Sequence, residues 1–456
     1  MATKNQMATK NQTVAYNRCA AARLLLAFLL LPVTLLWFSA TAACALTIET
    51  VVVGNPGNAG NEDFGLTGVR RPIYPLGVVD YVYKIGKFEV TNSEYSEFLN
   101  AVAKTDTHGL YNSKMGTRTH GGISRTGTSG NYSYTPRTNM ANKPVNLLSY
   151  WDMTRFCNWL HNGQPTGLQD NSTTEDGAYT LGGVTNPPDT DISRNEDAQW
   201  FIPSQNEWYK AAFHQPATEG GDVDDYWMFP TRTNEVPVPA TANEMGEITN
   251  PGPNVVNHLK QANWNGTFSG NVTTVGSAGP STASFYGTFD QAGNLWEYYD
   301  RITLGSPPNV GLAETKRGIW GGGWISNISN AQADHNVHSW EILNESYEIG
   351  FRVASISGVP PLLNGDFNGD GSVDAADYTV WQDYLDLDSS VLNYNGSGET
   401  TVVGADFLLW QTHFGDSLAS GSSVSPAPEP TTLLLTLLAM IAIHFVAGRG
   451  SRASHF

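Results

Sequence analysis

Glycine and proline interrupt this chain so often that long helices can form in only a few places. The 456 residues include 46 glycines and 24 prolines, and only 15% of them are charged. Three stretches begin with a capping box, in which a Ser or Thr precedes an acid by three residues, at Thr91, Ser149 and Ser204. Apolar residues then recur at helical spacing. The sequence therefore predicts an α+β domain with three modest helices and many long loops.

The chain is acidic, with a formal net charge of −18 from 25 basic and 43 acidic side chains. A surface of this sign repels nucleic acid and attracts divalent cations. We therefore expect no nucleic-acid partner.

The amino-terminal segment has the order of a secretion signal. Arg18 and Arg23 precede the apolar run 24–38, and small residues follow as far as Ala43-Cys44-Ala45. A basic start, a short apolar core and a small-residue exit predict a signal peptide over residues 1–45 and an exported protein. A buried helix and a lipoprotein site at Cys44 are the alternatives.

Cysteine usage fits an exported chain without disulfides. Cys19 and Cys44 fall in the predicted signal peptide, so Cys157 is the one cysteine left in the mature sequence. Free cysteine is commonly buried and packs as a small apolar residue. We expect Cys157 to be a buried structural thiol.

The carboxyl-terminal segment combines a Pro-Glu-Pro motif at 428–430, an apolar run over 431–447, and the basic residues Arg449 and Arg452. The run reaches the lower length limit for a membrane-spanning helix. The three features in this order resemble the PEP-CTERM sorting signal. The resemblance implies a transmembrane segment over 431–448, cleavage by an exosortase-type enzyme, and delivery to the cell envelope, outer surface or matrix. A permanent tail anchor is the alternative.

Stretches rich in Pro, Gly and Ser at 358–363 and 418–430 predict linkers. They divide the exported part into a large domain over 46–357 and a small domain over 364–417.

Six short motifs run in order along the large domain. They are Phe-Glu-Val-Thr-Asn at 88–92, Pro-Val-Asn at 144–146, Ile-Pro-Ser at 202–204, Gly-Asn-Leu-Trp-Glu at 293–297, Gly-Gly-Gly-Trp at 321–324 and Gly-Phe-Arg at 350–352. Together they resemble the motifs of the formylglycine-generating enzyme family, also called sulfatase-modifying factors. The resemblance implies a C-type-lectin-like fold with little regular secondary structure.

The same resemblance locates a missing catalytic pair. Oxidases of this family bind copper(I) with two cysteines after the glycine motif, and those positions are Ser326 and Ala331 here. Copper(I) requires soft thiolate ligands. We therefore expect no catalytic residue, no copper, and a recognition or structural scaffold for a glycan or protein ligand. The alternative is an atypical non-haem iron or other metal-dependent oxidoreductase that uses Asp334, His335 and His338.

The family also has structural calcium sites. Carried over by position, one site would take carboxylates from Asp290 and Glu297 and backbone oxygens from Gly293 and Leu295. A second site would begin at the adjacent residues Asn263 and Trp264. Oxygen ligands on a turn suit calcium.

The small domain begins with a twelve-residue loop that has EF-hand spacing, with oxygen ligands at positions 1, 3, 5, 7, 9 and 12. These ligands are Asp366, Asn368, Asp370, Ser372 (through its carbonyl), Asp374 and Asp377. A helix over 378–385 is expected to follow. A degenerate second loop repeats the pattern and would bind calcium weakly. Its ligands are Asn395, Ser397, Glu399, Thr401 and Asp406.

Two such loops, each followed by a helix, resemble a type I dockerin, an α-helical EF-hand pair. The resemblance implies a cohesin domain as a possible partner; a calcium-stiffened spacer is the alternative. Lys and Arg are absent from 353–448, so no basic side chain of this segment can neutralise its acids. We expect this domain to fold properly only with calcium.

Overall fold

A computed structural model describes residues 45–62, 75–183, 192–304, 315–335, 338–357, 364–368, 372–387, 392, 396–397 and 401–417. The side chains of 301–304 and 315 are not described. Apart from Ala45, the predicted signal peptide, both linkers and the segment 431–448 lie outside these ranges. Among the described residues, no helix is long and apolar enough to cross a bilayer.

Short helices and short strands alternate along the described residues. The helices are α1 (Asn92–Val102), α2 (Lys114–Thr117), α3 (Tyr150–His161), α4 (Gln205–Phe213), α5 (Ala375–Asp383) and α6 (Gly404–His413). The strands are β1 (Thr50–Val53), β2 (Tyr83–Gly86), β3 (Ile123–Thr126), β4 (Ser133–Pro136), β5 (Trp200–Phe201), β6 (Val238–Pro239), β7 (Val255–Val256), β8 (Trp296–Leu304), β9 (Thr315–Trp320), β10 (His338–Glu341), β11 (Ile349–Gly350) and β12 (Ala354–Ser355).

The three predicted capping boxes are all present, and they begin α1, α3 and α4. In each one the Ser or Thr oxygen accepts the backbone N–H of the acid, and the acid accepts the N–H of the capping residue. These reciprocal bonds satisfy donors that a helix start would otherwise leave without partners. The prediction of a few modest helices in a mixed domain is confirmed.

Two four-stranded sheets frame the large domain. The first has the order β1-β2-β12-β5 with antiparallel neighbours, so a strand near residue 354 lies between strands near 85 and 200. The second has the order β10-β9-β8-β11, and β11 runs parallel to β8. The closing Gly-Phe-Arg motif therefore begins on β11 of the second sheet and leads directly to β12 of the first sheet. Arg352 lies in the short segment that joins these two strands.

The main apolar core includes buried faces of α1 and α3. The ring of Phe98 meets those of Phe156 and Trp159 at centroid distances of 5.4 and 5.3 Å. Cys157 lies in the same core with no exposed surface. Burial, and the nearby Asp300 carboxylate, raise the pKa of its thiol well above the ordinary value. The expectation of a buried thiol at Cys157 is confirmed.

The helix expected over 378–385 is α5, and it begins three residues earlier than predicted. The Asp374 carboxylate caps it by accepting the backbone N–H of Ala376, so the helix starts at Ala375. The two helices of this segment exchange equivalent contacts. Trp381 Nε1 donates to the Val403 carbonyl at 2.8 Å, and Trp410 Nε1 donates to the Asp374 carbonyl at 2.7 Å. The internal repeat read in the sequence is thus a structural repeat.

Candidate functional site

The glycine motif after β9 and the turn before β8 pack against each other. Gly293 N–H donates to the Gly321 carbonyl at 2.9 Å, and Trp324 N–H donates to the Asn294 carbonyl at 2.9 Å. Gly321 has φ +94°, and a Cβ there would lie 2.8 Å from the Gln291 carbonyl oxygen. Only glycine allows this approach, so two motifs distant in sequence meet at one place.

Ser326 and Ala331, where the resemblance would place two thiols, have other contacts in this structure. Ser326 Oγ accepts the Gly323 N–H at 3.0 Å, while Ser326 N–H donates to the Gly323 carbonyl at 2.9 Å. Ala331 is buried in an apolar cluster with Phe229 and Val256. A hydroxyl that closes a turn and a methyl group cannot replace two thiolates as copper(I) ligands. The residues present do not fit copper(I).

The two histidines of the alternative site meet, but Asp334 does not join them. The Nε2 atoms of His335 and His338 are 2.6 Å apart. Partial burial and the neighbouring His338 lower the pKa of His335 to about 4, and partial desolvation lowers the pKa of His338, whose side chain still reaches solvent. Within the described residues, Asp334 makes no hydrogen bond or ion pair with either ring, and no group of three His, Cys, Asp or Glu is placed to hold a metal.

Glu297 belongs to a buried ion pair, which does not fit its expected role as a calcium ligand. Both carboxylate oxygens bind Arg352, Oε1 from Nη2 at 2.6 Å and Oε2 from Nε at 2.6 Å. Trp208 Nε1 also donates to Oε2 at 2.8 Å. A guanidinium group at this carboxylate repels a second cation. Asp290 lies near the pair and accepts the Gly276 N–H at 2.6 Å.

Glu89 is a second buried acid at this centre, and the sequence analysis missed its role. Its carboxylate accepts the Leu295 N–H at 3.0 Å and the Asn294 side-chain amide at 2.8 Å. Burial, then repulsion from Asp290 and Glu297, raise the pKa of Glu89 well above its ordinary value. The motif at 88–92 pointed to Glu89 as a family position, but no local pattern indicated that it faces the turn before β8.

The side-chain oxygen of Asn263, the first residue of the second predicted calcium site, accepts a hydrogen bond within its own loop. Asn263 is exposed, and its Oδ1 accepts the Gly270 N–H at 2.8 Å. Trp264 is buried, and its Nε1 donates to the Val272 carbonyl at 2.7 Å. Both contacts close the loop on itself, and a calcium ion at Asn263 and Trp264 stays a prediction.

The two loops of the small domain place their last carboxylate in the same way. Asp377 accepts backbone N–H groups from loop positions 3 and 9, at Asn368 (2.9 Å) and Asp374 (2.8 Å). Asp406 accepts the equivalent groups of Ser397 (2.6 Å) and Val403 (2.7 Å). Each final carboxylate is buried.

Like charges also face each other in the first loop. Asp366 and Asp377 have no exposed surface. Burial raises the pKa of Asp377, and repulsion from Asp366 adds to the shift. The predicted ligands Asp370, Asn395 and Glu399 lie outside the described residues, whereas Ser372 and Thr401 lie within them. The first loop therefore buries the carboxylates of Asp366 and Asp377 close to each other.

The profile of the sulfatase-modifying factor enzyme 1-like domain matches residues 41–356. Among solved structures, CarF is similar at 18% identity and a TM-score of 0.42, covering 68% of this chain and 98% of that one. Variable protein 1 of Treponema denticola (13%, 0.35, covering 68% and 98%) and PvdO of Pseudomonas aeruginosa (17%, 0.35, covering 67% and 91%) are also similar. No curated protein matched the chain. Because the profile covers more than half of the sequence, the chain belongs to the family of sulfatase-modifying factor enzyme 1-like domains.

Proposed function

We propose that this chain is an exported calcium-binding protein of the cell envelope, whose large domain is a recognition or structural scaffold and not an oxidase. The observation that supports the scaffold role is the identity and packing of the two residues at which the resemblance would place thiols. Ser326 closes the glycine turn and Ala331 fills an apolar cluster. The family frame is present, and the soft ligands on which its copper chemistry depends are not.

The proposed lack of oxidase activity can be tested directly. The full chain, supplied with copper(I) and oxygen, is incubated with a cysteine-containing sulfatase peptide, and formylglycine is sought by mass spectrometry. An active member of the family serves as the positive control. The S326C/A331C variant is the matched comparison, because it restores thiols at the two positions. We expect no product from the wild-type chain; formylglycine formed by it would refute the scaffold proposal.

Calcium would bind first at the loop 366–377. The support for this is the buried pair of like-charged carboxylates, Asp366 and Asp377, which a divalent cation would stabilise. In the full chain freed of metal with a chelator, calcium should change the tryptophan fluorescence of Trp381 and Trp410. D377N should remove most of the response, and D406N should remove less. An equal response in both variants and the wild-type chain would contradict the assignment.

Export and sorting complete the proposal. The support is the order of basic, apolar and small residues over 1–45, and of Pro-Glu-Pro, apolar run and arginines after 428. Mass spectrometry of the protein from its native envelope should find the chain starting near residue 46 and ending near 428–430. An intact Phe456 would contradict processing by an exosortase-type enzyme. The processed form should then be screened for binding to glycans, to proteins and to a cohesin domain.

A further inference from the structure

His335 and His338 are three residues apart, and each has its own backbone contact in the fold. His338 is the first residue of β10, where it pairs with Ile319 of β9. His335 follows a short 3-10 turn, and its N–H donates to the Gln332 carbonyl at 3.2 Å. The backbone of His338 is therefore held in the sheet and that of His335 in the turn, and their rings meet between these two contacts.

The rings meet nitrogen to nitrogen. Their Nε2 atoms are 2.6 Å apart, whereas their centroids are 4.7 Å apart and their planes differ by 17°. Each ring body thus points away from the other. Two Nε2–H groups cannot face each other at this distance, so at least one Nε2 presents its lone pair. At this distance the point between the rings suits one shared proton.

A metal ion requires the two rings to turn and move apart. Imidazole nitrogen binds first-row metals at about 2.0–2.1 Å, so two ligands at a right angle stand about 2.9 Å apart. The present separation is 2.6 Å and the two nitrogens point at each other, so both side chains must rotate for their lone pairs to converge on one ion. His338 is exposed, so water can reach the remaining coordination positions.

The pair also lies beside the glycine turn. The rings of His338 and Trp296 make an edge contact at 5.1 Å, and Trp296 is buried. A Cβ on Gly323 would lie 3.4 Å from Trp296 Cδ1. A rigid, buried indole therefore supports one ring of the pair, two contacts away from the turn that holds Ser326.

We propose that His335 and His338 bind one divalent first-row transition metal ion through their Nε2 atoms, with water completing the coordination. Two nitrogen ligands favour copper(II) over zinc according to the usual order of affinities, and they do not suit calcium, which prefers oxygen. The site is distinct from the calcium loops. It does not depend on the scaffold role, since a bound ion can serve structure or docking without any oxidation.

The test uses the full chain, freed of metals with a chelator and then kept in saturating calcium so that oxygen sites are filled. Copper(II) is titrated by calorimetry, and the bound ion is examined by electron paramagnetic resonance. The variants are H335Q, H338Q and the double change, with circular dichroism as the check on folding. H413Q is the matched control, because His413 is another part-buried histidine that hydrogen-bonds a single neighbour, Asp416.

We expect one equivalent of copper(II) in the wild-type chain and in H413Q, with a spectrum that reports two nitrogen ligands. Either single variant should weaken binding by more than about tenfold and remove one nitrogen from the spectrum. Unchanged binding in the double variant would overturn the proposal. Failure of the wild-type chain to bind would also overturn it, and the pair would then be a hydrogen bond only. Neither result bears on the peptide assay of the scaffold proposal.

Discussion

The buried ion pair between Glu297 and Arg352 offers the sharpest test of how this domain is held together. Both side chains have no exposed surface, and two bonds of 2.6 Å join them. Arg352 also donates to the backbone carbonyls of Gly86 and Phe289, at 2.9 and 2.8 Å. The guanidinium thus ties the β8 carboxylate to Gly86, far away in sequence, and to Phe289 in the turn before β8. We consider the variant R352M, which keeps much of the side-chain volume and removes the charge.

The expected loss of stability follows from burial. Removing one partner of a buried pair leaves the other charge uncompensated and costs about 3–5 kcal/mol. A surface pair of the same length provides the contrast. Lys87 and Glu49 are also 2.6 Å apart, but their side chains are 30% and 62% exposed. Water and salt screen such a pair, so K87M should cost less than about 1 kcal/mol.

Urea unfolding in saturating calcium, followed by intrinsic fluorescence, measures both variants under the same conditions. With a slope of about 3 kcal/mol per molar, R352M should lower the midpoint by about 1 to 1.7 M. K87M should lower it by less than about 0.3 M. Equal losses of stability in the two variants would show that burial does not decide what an ion pair of this length contributes. A cost of less than about 1 kcal/mol for R352M would refute the assigned role of the buried pair.

Three further predictions concern other buried groups. The folded-state pKa of Glu89 is raised, so its contribution to stability is full below pH 4.5 and is lost as pH rises toward the folded-state pKa. E89Q should therefore gain stability relative to wild type as pH rises. A difference in unfolding free energy that does not change with pH would contradict this. In a C19S/C44S background, Cys157 should react with a thiol reagent only at the rate of unfolding, since its raised pKa and burial suppress the thiolate; rapid labelling of the native chain would show the thiol to be accessible. S149A should destabilise the domain by about 1 kcal/mol through loss of the α3 cap, and thermal unfolding unchanged from wild type would count against that cap.

Local chemistry was enough to locate the starts of α1, α3 and α4. In a capping box, a Ser or Thr and the acid three residues later accept each other's backbone N–H groups, so the signal lies within four consecutive residues. Thr91, Ser149 and Ser204 therefore predicted three helix starts. The α5 boundary was placed too late, because the role of Asp374 as the helix cap was not recognised. The order of six motifs indicated the family, since each motif is a local run of residues.

Tertiary packing alone decided how the acids of the large domain are used. Sequence position made Glu297 look like a calcium ligand, but the pairing of β11 with β8 and the course of the chain into β12 bring Arg352 to it. Glu89 became part of the same centre across more than two hundred residues. Burial and partner choice depend on such long-range contacts, which no local spacing encodes, whereas caps and turns depend on neighbours in the chain. His335 and His338 show both effects. The sequence places them three residues apart, whereas the fold turns their ring nitrogens toward each other.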